Sequence, residues 1–221
     1  MIILDVGEGT ALRNEHAPRV VHSILSTADA VEFPKEEIVV KPQLFQWEPP
    51  NRPLQHEVFA NIHRECLDVG LQCTASVFDK PSLGFLLRLE IPFVKIASRT
   101  YLRRLALLVP RGVPIYASYG DMNDETEYDG YVDQWLACVS NYPAEAIDYD
   151  NFGLIPRMDH LGISDHTVGL DLYRKYRPRI YEKHFYIQGM KGPSIGPWAI
   201  DEDGLAELLR IANTERLTNP R

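Results

Sequence analysis

Four short stretches of this chain combine residue types that could hold a small, doubly acidic molecule beside a divalent cation. Val40-Lys41-Pro42-Gln43 and Val94-Lys95-Ile96-Ala97-Ser98 each follow a lysine, within three residues, with another polar side chain. Ser164-Asp165-His166 and Glu182-Lys183-His184 each end on a histidine two residues beyond a hydroxyl or a carboxylate. Alternate residues of an extended strand share a face. Lys41 therefore goes with Gln43, Ser164 with His166, and Glu182 with His184. Two histidines at neighbouring strand ends can meet at one metal ion and leave positions open for substrate, as Lewis-acid catalysis requires. Lys41 and Lys95, with hydroxyls and amides around them, can cradle a phosphate and a carboxylate. Taken singly these residues are ordinary. A lone histidine at a strand end is more often structural, a lone lysine more often snorkels to water, and Ser98, Ser118 or Ser140 alone is a turn former. The combination points to chemistry.

Such a constellation needs strands to present it. Apolar, β-rich runs predict strands at Ile2–Val6, Glu37–Lys41, Leu71–Ala75, Phe93–Ala97, Val113–Ala117, Trp135–Val139, Leu161–Ser164 and Arg179–His184. Between them, Val58, Phe59, Ile62, Cys66 and Val69 fall on one helical face, with Gly70 as the stop. Asp203 is placed to cap a helix carrying Leu205, Leu208, Leu209 and Ile211. A weaker helix is expected over 168–173, and Asp121–Asp133 reads as a polar loop, as does the Pro-rich stretch Trp47–Pro53. Alternating β and α elements imply a parallel sheet. About eight strands favour a compact, single-domain α/β fold spanning 1–221, a (β/α)8 TIM barrel, with a doubly wound open sheet as the alternative. Gly7-Glu8-Gly9 lacks the third glycine of a dinucleotide fingerprint. In a barrel the polar residues fall at the C-terminal strand ends, where active sites lie.

The balance of the 221 residues agrees. Hydrophobic residues make up 45% and charged residues 24%, which excludes a disordered or fibrous chain. With 23 Lys+Arg against 31 Asp+Glu the net charge is −8, and no basic run argues for nucleic-acid or membrane-surface binding. Three cysteines without a CxxC pair fit a reducing, cytoplasmic setting. The start reads as a strand and not a signal peptide, and no stretch has the roughly 18 apolar residues of a membrane span. His16, His22, His56, His63 and His160 are expected at the surface or at caps. Cys66 and Cys73 are expected in the core, and Cys138 mid-strand with no base beside it.

Several strings occur in a telling order: Ala75-Ser76-Val77-Phe78-Asp79, Val94–Ser98, Ser140-Asn141-Tyr142-Pro143-Ala144, Gly162–Thr167 and Glu182-Lys183-His184-Phe185. Together with Lys41-Pro42-Gln43 and the turn after Ile115 they resemble the sialic acid synthase family, the N-acetylneuraminate synthases, over nearly the whole chain. The resemblance implies a TIM barrel that condenses phosphoenolpyruvate with a sugar aldehyde, with manganese or magnesium as cofactor. By the same resemblance His166 and His184 are the metal ligands. Lys41, Gln43, Ser76, Lys95, Ser98, Ser118, Asn141 and Ser164 hold phosphoenolpyruvate. Glu182, Asp5 and Lys95 take catalytic parts.

Departures are equally informative. Asp5-Val6-Gly7 stands where the family reads Glu-Ile-Gly, and the Asn-His-Asn-Gly segment that follows is missing. Gly192-Pro193-Ser194 replaces Gly-Pro-Asp, whose aspartate contacts the amino sugar. The family's C-terminal antifreeze-like domain, which sends an arginine into the partner's site, is not expected in this single-domain reading, so any homodimer is expected to use barrel faces. The phosphoenolpyruvate half matches while the sugar half is altered. A degenerate barrel binding an anion or a protein, and a metal-assisted sugar-phosphate aldolase or isomerase, are the alternatives.

Overall fold

The computed structural model describes residues 1–9, 11–13, 15–44, 49–120, 129–150 and 161–218. Its strands are β1 (Ile2–Gly7), β2 (Ile38–Leu44), β3 (Gln72–Cys73), β4 (Ser76–Val77), β5 (Val94–Ile96), β6 (Ile115–Tyr119), β7 (Gln134–Cys138), β8 (Leu161–Asp165) and β9 (Tyr181–His184). All pairings are parallel, and β1 pairs with both β9 and β2, which closes the cylinder. β3 and β4 both pair with β2 and are two halves of one stave. The result is an eight-stave (β/α)8 barrel, and the open-sheet alternative is discarded.

Each expected strand is present, with shifted ends. β2 runs on through Pro42 because the β1–β2 register slips there, from Asp5 opposite Lys41 to Gly7 opposite Pro42. A proline, which has no N–H to give, is tolerated at such an irregularity. The third stave breaks at Thr74-Ala75, where the Thr74 hydroxyl bonds the Phe93 carbonyl. β9 starts two residues later than expected, since Arg177 in the left-handed region (φ 46) and Pro178 end the preceding helix.

The helices on the outside are α1 (Ala17–Ala30), α2 (His56–Asp68), α3 (Lys80–Leu86), α4 (Ala146–Asp150), α5 (Asp171–Tyr176) and α6 (Glu202–Thr218). Sequence reading leaves α1 out, yet Val20, Val21, Ile24 and Ala28 are buried at helical spacing. Helix α2 ends as expected: Leu71 N–H reaches Cys66 O at 2.9 Å, Gly70 N–H reaches Leu67 O at 3.2 Å, and Gly70 has φ +84. The cap of α6 is Asp201, whose Oδ1 accepts from Gly204 N at 3.0 Å, and not Asp203, which lies inside the first turn. The helix expected over 168–173 begins only at Asp171, past Gly169 with φ +72. Between β5 and β6 the chain makes a 3-10 helix, Thr100–Leu108. His63 is buried and bonded to the Glu90 carbonyl at 2.5 Å, so the surface-or-cap expectation fails there, whereas His16, buried and bonded to the Ala11 carbonyl at 2.9 Å, occupies the cap position of α1 and meets it. His22 and His56 are exposed. His160, Trp47, Glu48 and residues 121–128 of the expected polar loop lie outside the described residues. No helix among the described residues is long and apolar enough to cross a membrane.

The barrel interior is layered. Ile3, Val39, Phe93 and Leu136 form a separate apolar cluster at the N-terminal end, with Tyr116 stacked on Phe93 at 4.0 Å. Gly162 belongs to the same layer, where an added Cβ would come within 2.9 Å of Leu136. Two residues further along these strands, the same faces carry Asp5, Lys41, Lys95, Ser118, Cys138 and Ser164. The strand period of two thus places a charged layer directly on an apolar plug.

Candidate active site

That charged layer floors a cavity of about 250 Å³ at the C-terminal end of the barrel. Asp5 sits at its base, with the Lys41 ammonium donating to Oδ2 at 2.6 Å. Gln43 Nε2 donates to Oδ1 and Oδ2 at 2.9 and 2.8 Å, and Gly7 N donates to Oδ1 at 3.0 Å. Lys41 also donates to Ser76 Oγ at 2.7 Å, and Lys95 to Ser118 Oγ at 2.7 Å. Ser164 Oγ donates to Glu182 Oε1 at 2.8 Å. The other oxygen, Oε2, is buried without a hydrogen bond, 3.8 Å from Lys41 Nζ and 3.6 Å from Lys95 Nζ. One carboxylate oxygen therefore stands between two ammonium groups.

The charge states follow from these neighbours. Burial alone would raise the Asp5 carboxyl, but Lys41 and His184 hold it well below the usual range. Burial would also raise Glu182, and Lys41 with Lys95 pulls it below its ordinary value. Burial would lower Lys41, yet Asp5 and Glu182 hold it above the usual lysine value. For Lys95 burial wins, helped by Lys41, and its value drops despite Glu182. Asp5, Glu182 and Lys41 are thus held toward their charged forms, beside a Lys95 made less basic than an ordinary lysine.

The two histidines complete it. The His166 and His184 ring centroids are 5.3 Å apart. Imidazoles sharing one ion at about 2.1 Å per nitrogen would have centroids roughly 5 Å apart. Val139 O lies 2.6 Å from His166 Nδ1, which makes Nδ1 the protonated nitrogen and leaves Nε2 as a lone pair, the usual support of a ligating histidine. Burial, chiefly, takes His184 down to about 4, so it is neutral, and its Nδ1 is buried without a hydrogen bond. Among the described residues no group of three His, Cys, Asp or Glu is arranged to hold a metal. The chemistry of the two imidazoles would suit two ligands of a divalent ion, with further donors needed from outside this pair.

On the opposite faces of β8 and β9, Lys183 and Asp165 form a fully buried pair at 2.9 Å. Asp165 Oδ1 also accepts from Thr167 N at 2.6 Å, and Lys183 Nζ donates to Thr167 O at 2.7 Å. This outer clamp holds the turn that presents His166.

Residues 50–218 match the family model described as the NeuB family. The chain belongs to the NeuB family. No curated protein matches it in sequence. In three dimensions it is similar to the N-acetylneuraminic acid (sialic acid) synthetase of Leptospira borgpetersenii, with a TM-score of 0.75 at 19% identity over 100% of this chain and 85% of that one. A spore coat polysaccharide biosynthesis protein from Bacillus subtilis gives 0.69 at 18% identity, covering 99% and 69%. A phospho-2-dehydro-3-deoxyheptonate aldolase from Thermotoga maritima gives 0.68 at 9% identity, covering 99% and 70%. At these identities the structures share the fold.

In this NeuB-family chain the cavity brings together Asp5, Lys41, Gln43, Ser76, Lys95, Ser98, Ser118, Ser164, His166, Glu182 and His184, eleven of the twelve residues singled out from sequence. Asn141 is the exception: it is exposed and outside the cavity, and Ser140 lines the wall instead. β7 ends at Cys138, and alternation from an inward Cys138 brings Ser140 inward and turns Asn141 out. Cys138 is also corrected, since its Sγ lies 4.0 Å from His166 Nδ1. Burial would raise this thiol, and the imidazole pulls it down. The converse holds for His166, where burial lowers and Cys138 raises, with a net rise. Sequence reasoning also missed Phe78, Arg99 and Tyr142 on the wall. Tyr142 lies over His166 at 4.2 Å and edge-on to His184 at 6.1 Å. Gly120 lets the wall close, because a Cβ there would come within 2.9 Å of Ser98 Oγ. A larger hollow of about 710 Å³ opens at the N-terminal end of the barrel, away from all of these groups.

Proposed function

We propose that this chain condenses phosphoenolpyruvate with an aldose or amino-sugar aldehyde, giving a 2-keto-3-deoxy acid and phosphate. The observation that carries this reading is the Lys41–Glu182–Lys95 arrangement beside two buried imidazoles. Membership of the NeuB family and the shared barrel of the Leptospira synthetase support it. Lys41 and Lys95, with Ser76, Ser98, Ser118 and Ser164, would hold the carboxylate and phosphate of phosphoenolpyruvate. Ser140 takes the place expected for Asn141. A manganese or magnesium ion held by His166 and His184 would supply Lewis-acid polarisation of the acceptor aldehyde.

The chain's own residues account for the remaining chemistry. The vinyl carbon of phosphoenolpyruvate bonds to the aldehyde carbon, and the carbon bearing phosphate becomes electron-poor. Glu182, ionised by the two lysines, stabilises that centre, orients water toward it and takes the water's proton. The aldehyde oxygen takes up that proton, and the new hydroxyl gives its own proton to the departing phosphate as the ketone forms, so both protons of the water are placed. Breaking the bond from that carbon to the phosphate oxygen then releases phosphate to the lysine cradle. Asp5 holds Lys41 charged and in place.

The test is phosphate release from phosphoenolpyruvate with manganese and a panel of aldoses and N-acetylhexosamines. Release that needs both an aldose and the metal is expected. Calorimetric binding of phosphoenolpyruvate without release across the panel would replace this reading with an anion-binding barrel.

A further inference from the structure

Tyr149 takes no part in the mechanism above, yet its hydroxyl is bonded to two of the residues that do. It is fully buried and sits on α4, the short helix that follows β7. The phenol donates to the Ser164 carbonyl at 2.7 Å and accepts from the His166 N–H at 3.2 Å. One oxygen thus spans Asp165 and ties down the backbone on either side of it. Ser164 pairs with Cys138, the last residue of β7, so His166 stands beyond the β7–β8 ladder. A side chain gives the His166 amide its acceptor where the neighbouring strand has run out, and a buried N–H needs one.

The chain after β7 grips the same stretch elsewhere. Ala144 N donates to His166 O at 2.9 Å, and Val139 O lies 2.6 Å from His166 Nδ1. Helix α4 is itself anchored, because Asp150 accepts from Lys175 and Tyr176 of α5. What hangs on this support is the chemistry of two strand-end side chains. The Ser164 hydroxyl donates to Glu182 Oε1 at 2.8 Å, and the His166 ring faces that of His184 at 5.3 Å. Both side chains leave the same face of β8, so a shift of the backbone between them moves both. The Lys183–Asp165 clamp acts from the opposite face and holds Thr167, whereas the phenol holds Ser164 and His166 directly.

We propose that Tyr149 is a positioning residue whose single hydroxyl sets Ser164 and His166 together, and through them the Glu182 carboxylate and the metal-binding imidazole. This rests on the condensing function above for what those residues do, and adds a support that they share. Three proteins decide it: the wild type, Tyr149→Phe, which removes only the hydroxyl, and Tyr149→para-aminophenylalanine, whose amine donates well and accepts poorly. Manganese affinity is read by paramagnetic resonance and phosphoenolpyruvate affinity by calorimetry, with urea midpoints beside them. Tyr149→Phe should lower manganese affinity by about tenfold, the usual effect of losing the support behind a ligand. It should lower phosphoenolpyruvate affinity by about threefold to tenfold, with circular dichroism unchanged. The amine should restore phosphoenolpyruvate binding, through Ser164, more fully than manganese binding, through His166. A readout without ligands is the nitrogen NMR spectrum of His166 in buffer alkaline enough to keep the ring neutral. The wild type should show the Nδ1–H tautomer, and Tyr149→Phe an average of the two.

A lowered urea midpoint with both affinities and the tautomer unchanged would make Tyr149 a structural residue only and overturn the proposal. Loss of one affinity alone would also overturn it, since one hydroxyl serves both residues. If Tyr149→Phe does not fold, the amine variant carries the test: weakened manganese binding is expected, and wild-type affinities for both ligands would overturn the assignment. Absence of phosphate release by the wild type with every aldose would refute the condensing function, and the affinities and the tautomer would still decide the role of Tyr149.

Discussion

Lys41 and Asp5 face each other across the β1–β2 ladder, ammonium to carboxylate at 2.6 Å, both nearly inaccessible to water. The pair positions the lysine, and it is costly to break from one side. Asp5→Asn should destabilise the fold by about 3–5 kcal/mol, the usual penalty for stranding a buried charge. Asp5→Asn combined with Lys41→Met should recover most of that loss, since no charge is then stranded. Urea unfolding of the three proteins checks it; a cost of under about 1 kcal/mol for Asp5→Asn would show that the ammonium is solvated some other way.

The wall residue after β7 gives a sharper test of geometry. Ser140→Ala should weaken phosphoenolpyruvate binding by about threefold to tenfold, the value of one lost hydrogen bond. Asn141→Ala should change it by less than about twofold, because Asn141 points to solvent. Calorimetric titration of both variants suffices, and the reverse order would restore Asn141 to the site.

Metal binding is expected to need both imidazoles. His166→Ala and His184→Ala should each lower manganese affinity by a factor of about ten or more while leaving the fold intact. Manganese paramagnetic resonance measures it, with circular dichroism as the control. Unchanged affinity in either variant would remove that histidine from the metal.

Acid should weaken the metal-stripped protein in two stages. His184 has its folded value lowered to about 4, below the ordinary 6.5, so below about pH 6.5 the unfolded chain gains a proton that the folded chain refuses. Stability therefore falls between roughly pH 6.5 and 4, by up to about 3 kcal/mol from this group. His166 has its folded value raised by Cys138, which acts with the opposite sign and offsets part of the loss. Below about pH 4 the second stage begins, as Asp5 and Glu182, both lowered in the fold, are forced to take protons. Denaturant midpoints across pH 3–8 test the sequence of events. His184→Gln should flatten the first stage and spare the second.

Much of this molecule could be read from the chain alone, because strands and strand ends are local. Runs such as Ile2–Val6 and Leu161–Ser164 declare themselves by composition. The period of two assigns Lys41 with Gln43, and Glu182 with His184, to common faces without knowledge of their neighbours. Helix α2 was equally legible, since Gly70 is a backbone signal and not a contact. Helix α1 was not: the capping residue type in Asn14-Glu15-His16-Ala17-Pro18 is Asn14, two residues ahead of the actual cap, and His16 makes no cap hydrogen bond.

Tertiary structure alone decided which of these faces met, and at what charge. Nothing local in Glu182 says that its free oxygen falls between lysines from β2 and β5, or that His184 is kept neutral by burial. Nor does the string Cys138-Val139-Ser140-Asn141 say where the strand ends, which is why Asn141 was expected where Ser140 stands. Arg99 and Tyr142 lie on loops, and only closure of the cylinder brings them to one opening. Periodicity is a property of neighbouring residues, whereas burial and electrostatic coupling belong to groups far apart in sequence.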